Sequence, residues 1–258
     1  MNITFDLFFE NLEKEKIAEL FKNVLPWEPL KILKTYLLDV IPELPKDIPI
    51  GIPIPESLFL TSEGEVIPLK ELEIYNEEYY FKGEKIRGAV LKAGAILTGK
   101  KIFFEKDVIV EPFSLIFPPA YFSKGTQIRH GSYIRGSVYT GEKVVIGHTT
   151  EVKNSIFFSS AKASHFAYIG DSILGNNVNL GAGTKLANLK FSKTIITLVI
   201  NNKTIDTGLK KFGAILGDRC QTGCNSVLQP GTLLGKKSYV YPGKVCGPGY
   251  FLPGTKIK

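Results

Sequence analysis

From about residue 90 onward, apolar side chains return at every sixth position. Phe122, Ile128, Ile134, Thr140, Ile146, Val152 and Phe158 keep this beat. It resumes at Tyr168, Leu174, Leu180 and Leu186, and again at Leu216, Thr222, Leu228, Leu234, Val240, Cys246 and Leu252. Turn-forming Gly, Asn, Asp, Ser and Pro fill the intervals, and IGHTTE, LGNNVN, LGAGTK and LGDRCQ read as copies of one unit. A period of six is too long for a helix and too regular for a sandwich. It is the signature of a hexapeptide β-helix. Each unit supplies one short strand and one turn, and three units close a triangular coil of 18 residues. Stacked coils bury a continuous apolar column. Such prisms can coil left-handed, against the usual crossover rule. The expected fold is therefore mainly β, a left-handed parallel β-helix over residues 89–258, preceded by a small α-helical N-terminal segment.

The beat is interrupted twice. Phe158 to Tyr168 is ten residues, which reads as one unit plus a four-residue bulge, an insert at 159–167. Leu186 to Leu216 is 30 residues, an insert at 187–214 that contains a hairpin pattern, TIITLVINNKTID, with Asn201-Asn202 near its turn. Repeat scaffolds carry insertions as loops, often on the binding face. Both interruptions are therefore candidate functional regions.

Ahead of the repeat, residues 1–45 have helical spacing in two stretches. LFFENLEKEKIAELFKNVL is interrupted by Pro26, and WEPLKILKTYLLDVI is stopped by Pro42 and Pro45. Residues 46–88 form a proline-rich connector, PKDIPIGIPIPESL, followed by short strands and turns. The N-terminal helices are expected to cap the open end of the prism, since exposed terminal coils invite aggregation.

Composition narrows the class. The 258 residues are 44% hydrophobic and 22% charged, as in a soluble globular protein. No apolar run approaches the roughly 20 residues of a membrane helix. The N-terminus lacks a basic n-region and a small-residue cleavage site. A cytoplasmic protein with no membrane partner is expected. Cys220, Cys224 and Cys246 form no CxxC, which argues against a disulfide framework or a zinc ribbon. The formal charge is +7, but the cations are scattered. That pattern suits small phosphorylated ligands and gives no nucleic-acid footprint.

The coil supplies a geometric tool, because residues one coil apart stack. Arg135 and Lys153 are 18 apart and each follows an inward beat. Two neighbouring cations about 5 Å apart suggest an anion such as phosphate; the alternative is two solvated cations, with Glu151 as a partner. His130 and His148 are also 18 apart. A metal site there would resemble that of the hexapeptide-repeat carbonic anhydrases, which implies a histidine in an HxxxxH pair; no such pair occurs here, so no metal ligands are assigned, and hydrogen-bonded turn histidines are the other reading. His165 falls in the bulge, close to Ser164 and Tyr168, and an imidazole is a natural general base near neutral pH. LGAGT lacks the GK[ST] of a P-loop, and GxSxG and HExxH are absent.

The runs IRHGSYIRG, GHTTEVKNS, AKASHFAYIGDSILGNNVNLGAGT and DTGLKKFGAILGD carry a resemblance. They look like the acetyltransferase half of the bifunctional enzyme that makes UDP-N-acetylglucosamine. The closer likeness is to a short branch related to the sugar-1-phosphate nucleotidylyltransferase/acetyltransferase proteins. It covers about residues 85–258, includes both interruptions, and extends to PWEPLKIL near the N-terminus. The resemblance implies acetyl-CoA as cosubstrate, no metal requirement, and an amino-sugar phosphate acceptor, glucosamine 1-phosphate first among them. It implies that Arg135, Lys153 and Tyr168 hold the sugar phosphate and that His165 takes the proton from the amine. Asn179 and Asn188 would orient the sugar. The turns around Cys224 and Pro242, with Lys236, Lys237 and Lys244, would face the pantetheine and phosphates of acetyl-CoA. It further implies a homotrimer with each site between subunits and the long insert reaching a neighbour.

The chain departs from the pattern at Leu189-Lys190-Phe191, where the two-domain enzymes carry a tyrosine-aspartate-glycine run after the counterpart of Asn188. Lys190 would stand in for a family lysine a little further along. The nucleotidyltransferase domain has no counterpart in these residues, so nucleotidyltransferase activity is not expected. Two other classes remain at this level: a non-catalytic or regulatory β-helix binding protein, and a metal-dependent β-helix enzyme.

Overall fold

The computed structural model describes residues 3–200 and 203–258. Its body is a three-sided prism of parallel strands. The first face carries nine parallel strands, from Gly88–Leu91 through Val145–His148, Lys162–His165 and Asn179–Leu180 to Lys256–Ile257. The second face runs from Ile96–Leu97 to Val245–Cys246 and the third from Ile102–Phe104 to Gly249–Phe251, with eight strands each. The chain visits first, second and third face in turn, so each circuit is one coil. Ile128, Ile134, Thr140, Ile146 and Val152 all point inward and are buried. The parallel β-helix read from the period of six is the observed fold.

The slip in the beat has a different origin from a bulge. Val145, Ile146 and His148 pair with Lys162, Ala163 and His165, 17 residues on and in register. Likewise Thr140 pairs with Phe157, Val152 with Ile169 and Phe157 with Leu174. The inward sequence is therefore Val152, Phe157, Ala163, Ile169, Leu174. Two turns have each lost one residue, and no loop has been added at 159–167. Tyr168 faces outward beside inward Ile169, and Phe158 packs outside the prism. A third shortening places Phe251 opposite Leu234 and leaves Leu252 59% exposed. Every shortening falls at the corner between the second and third faces. The first two leave one left-handed residue each, Asn154 (φ 45°) and Asp171 (φ 48°), where a regular coil has Gly136 and Ser137.

The N-terminal segment lies along the flank rather than over the end. Outward side chains of the third face, among them Tyr139, Ile156, Ile173, Ile215 and Leu233, form one buried cluster with Phe8, Phe9, Ile17, Trp27, Leu33 and Leu37. Among its described residues only Pro29–Val40 is α-helical; the first expected helix is three 3₁₀ turns, Phe5–Leu7, Leu12–Lys14 and Ala18–Phe21. Left-handed Asn11 (φ 55°) and Asn23 (φ 58°) break the helical path, and burial against a flat sheet outweighs local propensity. The end of the prism is closed by the last residues of the N-terminal segment and the connector region: Leu44, Ile48, Ile54, Leu58 and Leu60 join its inner column. Strand Leu58–Thr61 pairs antiparallel with Gly88–Leu91, and extends the first face.

The long insert contains the expected hairpin, Thr197–Ile200 with Lys203–Asp206; its Asn201-Asn202 turn lies outside the described residues. It folds over the third face of its own chain, with Ile196, Leu198 and Phe212 fully buried. Trp27 stands 6.1 Å from the Phe212 ring, and so couples insert and N-terminal segment. Replacing this fully buried indole by alanine is expected to destabilise the fold by about 3–5 kcal/mol. Urea unfolding tests this; a loss under about 1 kcal/mol would mean that the flank packing is not integral to stability.

Candidate functional site

On the second face the outward positions of adjacent strands carry Tyr133, Arg135, Glu151, Lys153 and Tyr168 around inward Ile134, Val152 and Ile169. Arg135 and Lys153 are neighbours, as their spacing predicts, and both have an acidic partner. Arg135 Nη1 lies 2.8 Å from Glu151 Oε1, and Lys153 Nζ 3.5 Å from Asp171 Oδ2. Glu151 holds the Arg135 guanidinium above its usual pKa. Each cation keeps part of its side chain in solvent, so this face presents paired but accessible positive charge.

Tyr168 donates its hydroxyl to Asn188 Oδ1 at 3.2 Å. Burial first, then the nearby Glu151 and Asp171 carboxyls, push its phenol pKa up, so it remains a donor at neutral pH. Gly170 makes room for this contact: a Cβ there would come within 2.8 Å of the Tyr168 hydroxyl and 2.6 Å of Asn188 Nδ2.

His165 ends strand Lys162–His165, at the corner between the first and second faces. Its side chain is exposed and has no hydrogen-bond partner among the described residues. The strand end, rather than a bulge, frees it from the wall. Backbone bonds define the column in which it stands. Phe166 N donates to His148 O at 2.9 Å, Gly183 N to His165 O at 3.1 Å, Asn225 N to Ala182 O at 2.8 Å and Gly243 N to Cys224 O at 2.8 Å. His130, His148, His165, Ala182, Cys224 and Pro242 therefore occupy one corner, each followed by a left-handed residue. Cys224 and Pro242, two candidate acetyl-CoA positions, lie on the His165 column, and Lys244 sits in the same turn as Pro242.

Other predicted positions lie elsewhere on the protomer. Asn179 is on the first face, across the corner from Tyr168, and Asn188 lies at the far end of the second face, at its corner with the third. Lys236 and Lys237 are at the corner between the third and first faces, where Lys236 Nζ lies 3.5 Å from Glu10 Oε1 and Lys237 N donates to Asp218 O. Lys190 Nζ donates to Ile195 O at 3.2 Å, within the insert. His130 and His148 stack with ring centroids 5.3 Å apart and 9° between planes, and each Nδ1 faces a backbone carbonyl. Among the described residues no three His, Cys, Asp or Glu side chains converge as metal ligands.

The sequence reading overlooked Asn154 and Asp171. Their signal was present, since Asn154, Asp171 and Asn188 are 17 residues apart, but it requires the shortened coil to be known.

Residues 116–238 match the family model of the GMPPB C-terminal domain. The matched stretch contains Arg135, Lys153, His165, Tyr168, Asn179, Asn188 and Cys224; Pro242 and Lys244 lie just beyond it. The chain is 39% identical over 100 residues to a bifunctional sugar-1-phosphate nucleotidylyltransferase/acetyltransferase of Sulfurisphaera tokodaii, covering 39% of this chain and 25% of that protein. It is 38% identical over 95 residues to the bifunctional protein GlmU of Methanococcus vannielii, covering 37% and 23%. A longer match, 28% identical over 206 residues, covers 80% of this chain and 44% of GlmU from Wigglesworthia glossinidia brevipalpis. The chain thus spans about a quarter of the length of the first two relatives. No helix in the described residues is long and apolar enough to cross a membrane.

Proposed function

We propose that this protein is an acetyl-CoA-dependent N-acetyltransferase acting on an amino-sugar phosphate, glucosamine 1-phosphate first among acceptors, in the supply of UDP-N-acetylglucosamine and cell-envelope precursors. The observation that carries the reading is the position of His165. It stands at a corner with Arg135 and Lys153 on the adjoining face and Cys224 and Pro242 in its own column. A base between an anion-holding face and a candidate thioester channel is what direct acyl transfer requires. The likeness to the sugar-1-phosphate nucleotidylyltransferase/acetyltransferase of Sulfurisphaera tokodaii supports the same class.

In this mechanism Arg135 and Lys153 anchor the phosphate and Tyr168 and Asn188 orient the sugar, so that positioning lowers the barrier. His165 removes a proton from the amino group. The nitrogen lone pair attacks the thioester carbonyl carbon, the tetrahedral intermediate collapses, and the C–S bond breaks. The coenzyme A sulfur leaves as thiol, taking the proton back from the imidazolium. A homotrimer would bring the first face of a neighbour, with Asn179, toward this corner, and would bring Lys236 and Lys237 into reach of acetyl-CoA phosphates from a second chain.

The test is thiol release from acetyl-CoA with glucosamine 1-phosphate as acceptor. Acceptor-dependent release supports the reading. If a panel of amino-sugar phosphates gives none above background while acetyl-CoA still binds, the protein is a prism that binds without catalysing.

A further inference from the structure

The shortened turns place an unusual polar ladder behind the two cations. Asn154, Asp171 and Asn188 stack at the corner between the second and third faces, one 17-residue coil apart. Asp171 is their hub. It is only 4% exposed, and its two oxygens serve three side chains. Oδ1 accepts from Asn154 Nδ2 at 2.9 Å. Oδ2 accepts from Asn188 Nδ2 at 2.5 Å and lies 3.5 Å from Lys153 Nζ. Asn188 in turn holds the Tyr168 hydroxyl. Asn154 Nδ2 also lies 3.3 Å from Leu30 O, in the N-terminal helix.

A lysine on a flexible four-carbon stem and a tyrosine on a strand would each sample several rotamers if left alone. One carboxylate fixes both, the lysine directly and the tyrosine through Asn188. The backbone favours this side chain as well: Asp171 is left-handed, a conformation that Gly, Asn and Asp adopt most readily. The regular coil before them puts Gly136 and Ser137 at this corner and offers no such group.

We infer that Asp171 is a positioning residue that holds Lys153 and, through Asn188, Tyr168 in the geometry that recognises an amino-sugar phosphate, and that Asn154 ties this arrangement to the N-terminal helix. The inference rests on the sugar-phosphate reading of the second face. Its sign is informative. Removing a negative charge beside Lys153 should by Coulomb attraction favour any anion. Loss of positioning should disfavour the sugar phosphate, whose sugar must be oriented, more than a bare phosphate ion.

The variant that separates these effects is Asp171→Asn, which keeps the shape and suits the left-handed backbone. Calorimetric titration of the full chain with glucosamine 1-phosphate and with inorganic phosphate gives the first readout. The ratio of the two affinities is expected to fall by about tenfold or more, the scale of a hydrogen bond to a charged group, with inorganic phosphate bound no more weakly than by wild type. Where turnover is present, KM for the sugar phosphate rises by a similar factor while KM for acetyl-CoA stays constant. In a Lys153→Met background the effect of Asp171→Asn on the ratio should shrink, because one of the two groups it positions is gone.

An unchanged ratio in Asp171→Asn, or equal weakening of both anions, overturns the inference, as does a wild-type protein that binds neither. Wild type that binds the sugar phosphate without turning it over counts against the acetyltransferase reading alone. The affinity ratio then still decides the role of Asp171.

Discussion

His165→Ala is expected to lower kcat for acetyl transfer by at least about 100-fold, the lower end of what a positioned general base contributes. The protein should otherwise be little affected. The imidazole is exposed at a strand end and bonds to no described side chain, so the change in stability should stay within about 0.5 kcal/mol, as for an ordinary surface site. Acetyl-CoA affinity should also hold, because the column toward Cys224 and Pro242 is built from backbone bonds that do not involve the ring. Steady-state kinetics with a parallel binding titration checks both parts. A variant that keeps wild-type kcat would remove the base from the mechanism. One that loses kcat and acetyl-CoA binding together would make His165 a cofactor-binding group instead.

Gly147→Ala should damage fold and activity together. Gly147 lies beside the strand that ends in His165, and a Cβ there would come to 1.8 Å from Ser164 O and 2.0 Å from Ser164 C. These are backbone atoms and cannot swing aside, so strand Lys162–His165 must move. Overpacking typically costs about 1–3 kcal/mol, and a clash with fixed backbone atoms belongs at the upper end of that range. The residue displaced first is Ser164, immediately before His165, so the surviving folded protein should show a kcat loss approaching that of His165→Ala. Chemical denaturation and kinetics on the same preparation test the coupling. A stable, fully active Gly147→Ala would mean that the close approach of the coils does not set the position of the histidine.

Most of the fold was readable because a hexapeptide prism is a local code. Each unit places its own inward residue, turn and strand, and contacts only its neighbours in the stack. The period therefore predicted the parallel β-helix, the inward column apart from Phe158, Tyr168 and Leu252, the adjacency of Arg135 and Lys153, and the His130–His148 stack. The hairpin in the long insert was legible for the same reason, as two short alternating runs around a turn.

The readings that failed depended on contacts far apart in sequence. The first 3₁₀ turns carry a helical pattern, but the flat third face was there to bury Phe8, Phe9 and Ile17. The beat around His165 could be fitted by a four-residue bulge or by two one-residue deletions, and counting along the chain does not distinguish them. Strand register does, because pairing Ile146 with Ala163 keeps every inward side chain in the core. The sequence by itself thus determined the repeat, its strand order and the residue types available for chemistry. Only the tertiary structure decided that Asn154, Asp171 and Asn188 share one corner. Their hydrogen bonds join successive coils, and the distance between coils is set by packing across the prism rather than by any local preference.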